Sequence, residues 1–149
     1  MTALPTRKND PLRPAMVELR RGLMRLHKAL IDSERGVYEQ SNGPQTNVQL
    51  LQALMEDSFF AWLRPFSRLI TEIDGAMHED EPMTMDAARG YVDRAHALVA
   101  DSGPHDPLAD ETEAARYERV RRRDPAVLFA HTEMHRSLAA AALALEDAG

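Results

Sequence analysis

"MVELRRGLMRLHKALIDSERGVY" (16–38) is the stretch whose periodicity decides the fold. Met16, Leu19, Leu23, Leu26, Leu30 and Val37 recur at steps of three and four, with Ser33 filling one step. Side chains at that spacing share one face of an α-helix, so the pattern predicts a long amphipathic helix over residues 13–39. Glu18, Arg21, Arg25, Lys28, Asp32 and Arg35 supply the solvated side. Pro14 suits the first turn, where its missing N–H costs nothing, and "SNGP" (41–44) stops the helix.

The same periodicity continues outward. In "QTNVQLLQALMEDSFFAWLRPFSRLITEIDGAMHEDEP" (45–82), Val48, Leu51, Leu54 and Met55 begin a stripe, and Phe59, Trp62, Leu63, Phe66, Leu69, Ile70, Ile73 and Met77 carry it on. Pro65 removes a helical hydrogen bond and crowds the preceding turn, so this second helix is expected to be kinked or broken near Pro65 and to resume over residues 65–78. Thr84 caps a third helix with an apolar face of Ala88, Tyr91, Val92, Ala95, Leu98 and Val99. "DSGPHDP" (101–107) reads as a loop, and the charged residues 110–123 as a weaker, partly exposed helix. Asp124 and Pro125 open the last helix, on which Leu128, His131, His135, Leu138, Ala142 and Leu145 form a stripe.

No β alternation, solenoid repeat or low-complexity segment interrupts these helices. The expected fold is all-α, an up-and-down helical bundle of four main helices. Residues 1–12, with Pro5 and Pro11 among polar neighbours, read as a flexible arm, and residues 13–149 as a single domain.

Composition narrows the function. Hydrophobic residues make up 44% and aromatic ones only 5%, which favours helices over strands. Cysteine is absent, which removes disulfides, thiolate metal sites and cysteine nucleophiles. No stretch has the pattern of a signal peptide or the length of an apolar membrane span, so a cytoplasmic protein is expected. The net charge of −6 argues against general nucleic-acid binding. The one basic cluster, "RVRRR" (119–123), sits beside Glu111, Glu113, Glu118 and Asp124 and reads as a solvated helix face.

"HTEMH" (131–135) is the chemical lead. Histidines at i and i+4 lie one above the other on a helix, so His131 and His135 can present both rings to one point. Their stripe is the apolar one. Antiparallel pairing of the first and last helices, midpoint to midpoint, would set His135 level with His27, and His131 between Ile31 and Glu34. His27, Glu34, His131 and His135 are then a candidate set for zinc or iron. The competing reading is that these histidines pack, each bonded to one acceptor. Thr132 stands where a zincin requires glutamate, and the paired Glu-x-x-His motifs of a di-iron site are missing.

Other motifs yield little chemistry. "SFFAWLRPFSRL" (58–69) concentrates the aromatics and reads as core; alternatively it lines a pocket at the proline, where Arg64 and Arg68 meet an anion. No serine lies in a nucleophile elbow, and no glycine-rich phosphate loop is present.

"LHKALIDSER" (26–35), "FAWLRPFSRLITEID" (60–74) and "RRDPAVLFAH" (122–131) resemble phrases of a group of small uncharacterised bacterial helical proteins. The resemblance covers most of the chain. It implies a helical bundle and a bacterial, cytoplasmic origin, and it brings no activity, so no residue role is carried over. The leading expectation is a non-catalytic interaction or accessory protein with a protein partner or a second copy of itself. The alternative is a bundle that binds a metal or small ligand through inward-facing His and Glu.

Overall fold

The computed structural model describes residues 11–100 and 108–148. The first ten residues of the expected arm and the loop expected at 101–107 lie outside them. Leu12, assigned to the arm by sequence, is buried against the core at the head of the first helix.

Six α-helices, and no strand, make up the described residues. They are α1 (Arg13–Asn42), α2 (Asn47–Glu56), α3 (Arg64–Met77), α4 (Met85–Val99), α5 (Glu113–Arg123) and α6 (Pro125–Ala148), with a 3₁₀ segment, Ser58–Leu63, between α2 and α3. α1 runs for 30 residues and buries Met16, Leu19, Leu23, Leu26 and Leu30 along one row, as its sequence dictates. Four of the later helices are capped by local chemistry. Thr46 and Gln49 form a reciprocal capping box on α2, and the Thr84 and Thr112 hydroxyls accept the N–H groups of Ala87 and Ala115. Asp124 accepts the Ala126 N–H, and Pro125 follows it as the first helical residue.

The expected second helix is two helices. The chain leaves α-geometry at Asp57, eight residues before Pro65, and Pro65 lies in the first turn of α3. Asp57 organises this corner. Its carboxylate accepts the Phe59 N–H at 2.9 Å and the Tyr38 hydroxyl at 2.8 Å, and these bonds hold it below the usual carboxylate pKa range. Arg64 donates to the carbonyl oxygens of Leu54 and Asp57 and ties the corner together.

α1, α3, α4 and α6 touch in a closed ring: α1 on α6, α6 on α4, α4 on α3, and α3 on α1. Phe60, Trp62, Leu63 and Phe66 fill one end of the interior, so the aromatic stretch is core. α1 crosses α6 closely at Gly22. A Cβ on Gly22 would stand 2.9 Å from Met134 Sδ and 2.9 Å from Ser137 Oγ. No described helix is long and apolar enough to cross a membrane.

That crossing corrects two expectations about α6. Its buried residues are Val127, Ala130, His131, Met134, Ser137, Leu138, Ala141 and Leu145, while Leu128 and His135 are exposed. α6 is apolar over much of its circumference, so several stripes fit its sequence, and Gly22 selects the one centred on Met134. The two helices are antiparallel, but Gly22 lies against Met134 and Ser137, and Glu18 meets Ser137. His27 is therefore level with residues about one to two turns before His135.

Gly22→Val should lower stability by about 1–3 kcal/mol, the usual cost of overfilling a packed contact. Urea unfolding of the two chains measures it, and a stability equal to the wild type would mean the helices separate freely at that crossing.

Candidate functional site

The most buried charge among the described residues belongs to Glu34, 1% exposed on the inner side of α1. An isolated carboxylate there would be very costly, and four donors surround it instead. Trp62 Nε1 donates to Oε2 at 3.1 Å. Arg116, from α5, donates to the same oxygen through Nη2 at 2.7 Å and Nε at 3.1 Å. Arg123, at the end of α5, reaches Oε1 at 3.1 Å and Ser33 Oγ at 2.9 Å. The Arg116 guanidinium also lies 4.7 Å from the Phe59 ring centre and 5.5 Å from that of Trp62. One carboxylate thus joins α1, the 3₁₀ segment and α5.

The basic cluster is accordingly more than a solvated face. Arg119 pairs with Glu111 and Arg122 with Glu118, but Arg123 turns inward to Glu34. Sequence reasoning missed Arg116 and Arg123 as Glu34 partners. The available signal was a glutamate on an apolar helix flank, which requires cations from somewhere; which cations cannot be read from spacing.

The structure brings together two members of the expected metal set. His131 and His135 place their Nε2 atoms 3.1 Å apart. His131 is buried, with Nδ1 2.6 Å from the Tyr117 hydroxyl, and burial pushes that hydroxyl well above the ordinary phenol range. Arg121 Nη1 stands 3.1 Å from the same His131 Nε2, so a permanent cation occupies the place beside it. Glu34 is engaged by its two arginines, and His27 lies on another face, stacked on Phe66 at 6.4 Å. The four residues do not form one site, and no group of three or more His, Cys, Asp or Glu able to hold a metal occurs among the described residues. The midpoint register that would have joined them is not the register of α1 on α6.

A sizeable hollow lies elsewhere among the described residues. His27, Leu51, Leu54, Met55, Arg64 and Arg68 help to line a groove of about 590 Å³ between α1, α2 and α3. Arg64 and Arg68 line this groove, but the Phe and Trp side chains expected there do not. α2 turns Leu50 and Ala53 inward, yet Val48, Leu51 and Met55 on its other side are largely exposed.

No protein-family model matches the chain, and no curated protein or solved structure matches it either. Its function must be argued from its own residues.

Two outcomes test the roles assigned here. Glu34→Ala leaves two guanidiniums and an indole facing an apolar gap, and should cost about 3–5 kcal/mol in chemical unfolding. His27 is held below its ordinary pKa by burial. As pH falls through about 6.5 the unfolded chain takes up a proton there that the folded chain resists, so stability falls with acidification. Urea midpoints between neutral and mildly acid pH should drop, and His27→Gln should flatten that slope.

Proposed function

We propose that the protein is a non-catalytic interaction module that works as a pair of identical chains. In this reading α1, α3, α4 and α6 are the four main helices of an up-and-down bundle, and the outer face of α6 is where two bundles meet.

The observation that carries this is α6 itself. Large apolar side chains left exposed opposite a helix's buried face offer area for another surface to cover. The inner face of α6 is buried, but Phe129 is 68% exposed, Leu143 59% and Leu128 51%, with exposed Ala139 and Ala140 between them. Phe129 and Leu143 are four turns apart on one side. An antiparallel two-fold contact sets the aromatic end of one copy on the leucine end of the other, the self-complementary arrangement a two-fold axis requires. The alanines allow the helices to approach closely.

Charge supports a second copy over an unlike partner. The chain carries −6 and would repel itself on an acidic face. On this face Glu133 and Arg136 pair at 2.9 Å, which cancels their charges locally. The polar groups best placed for chemistry are engaged internally: Glu34 by two arginines, His131 by Tyr117.

Light scattering coupled to gel filtration tests the proposal. The wild type should run with twice the chain mass, and Phe129→Glu combined with Leu143→Glu should run as a folded monomer. A wild type that stays monomeric at high concentration overturns it.

A further inference from the structure

The groove between α1, α2 and α3 contains polar groups without partners. Its walls are apolar: Leu51, Leu54 and Met55 from the α2 side, with Leu63 at the corner. A second hollow of about 280 Å³, lined by Met24, Ile31 and Ile70, shares His27, Ser67 and Thr71 with the first, so the two form one trough along α3. The larger hollow is in the roughly 300–1,000 Å³ range of small-molecule sites.

The charges along it are unequal. Glu72 is paired with Arg94. Arg64 is fixed to two backbone carbonyl oxygens, and its charge acts on Asp57, so it adds little to the groove. Arg68 is exposed and has no hydrogen bond or ion pair among the described residues. The trough is therefore locally cationic on a chain of net charge −6. His27, half-buried at the junction of the two hollows, has no hydrogen bond to either ring nitrogen among the described residues. Ser67 and Thr71 bond instead to backbone carbonyls of their own helix.

We propose that this trough binds a free amphiphilic monocarboxylate, with its hydrocarbon chain against Leu51, Leu54, Met55 and Leu63 and its carboxylate taken by Arg68 and the N–H of His27. An apolar trough with one unpaired guanidinium and one unsatisfied imidazole matches a ligand with a long apolar body and a single anionic end. Depth distinguishes this ligand from a partner helix. His27 is half-buried, whereas Leu51 and Met55, which line the same groove, are 58% and 66% exposed and form its rim. A slender chain reaches beneath that rim, whereas a helix roughly 10–12 Å across rides on top of it. Burial keeps the His27 ring uncharged at neutral pH, so it offers an N–H. Met55 and Leu51 can fold over the ligand, since thioether and isobutyl groups adapt readily to a new neighbour.

Isothermal titration of the full chain with decanoate, decylammonium and an acidic amphipathic helical peptide provides the test. Decanoate should bind saturably at one site per chain, and decylammonium far more weakly. Arg68→Gln, folded by circular dichroism, should weaken decanoate about tenfold, the loss expected for one charge-assisted hydrogen bond. Leu51→Asp should abolish binding. The proposal is overturned if decanoate gives no saturable binding, if decylammonium binds equally well, if Arg68→Gln binds like the wild type, or if the peptide binds and decanoate does not. None of these residues belongs to the α6 face, so failure here leaves the paired-chain reading intact, and the reverse also holds.

Discussion

A single buried carboxylate sets the terms for the whole molecule. Glu34 lies at the inner end of a leucine row, where burying apolar area is favourable and burying a charge is not. The structure resolves this conflict by bringing Trp62 from one direction and Arg116 and Arg123 from another. Those three donors fix the distance between α1, the 3₁₀ segment and α5, and Arg116 is itself held by the faces of Phe59 and Trp62. Replacing the network with apolar residues could keep the volume, but the placing of α5 would then rest on the packing of Tyr117 and Val120 and the Tyr117–His131 bond.

The all-α class and most helix starts were legible in the sequence, because caps and prolines act locally, whereas the count was not: six helices stand among the described residues where four main ones were expected. Thr84 and Asp124 mark helix starts through bonds to residues two or three positions away, and Pro125 through its fixed φ at the first helical position. The leucine row of α1 was legible for the same reason: its inner and outer faces differ sharply. α6 was not, since Phe129 and Leu128 are as apolar as the Val127 and Ala130 that the core takes. What decides its rotation is the missing Cβ of Gly22, a feature of another helix 112 residues away in sequence from Met134. The candidate site failed at the same step. Ligand spacing within "HTEMH" gave the approach of His131 to His135, but the relative level of α1 and α6 is a long-range quantity that periodicity does not encode.

The apolar surface falls into two regions that differ in kind. The outer face of α6 is a long, locally neutral ridge of large and small side chains. The trough beside α2 is concave and cationic. A ridge presents area to another surface; a trough surrounds a slender object on several sides. The two readings of the chain follow from that difference in curvature and charge.

The Glu34 network has a consequence for the order in which the chain can commit to its fold. Its partners lie 28, 82 and 89 residues further along the chain. A ribosome releases α1 through α3 long before it releases α5, so the emerging segment holds a carboxylate with one indole donor and no guanidinium. Until α5 and α6 exist, the side of Glu34 that they cover is open to water, and the carboxylate is solvated there. Its burial therefore comes with the arrival of its two arginines, and completion of the interior depends on contacts of high sequence separation.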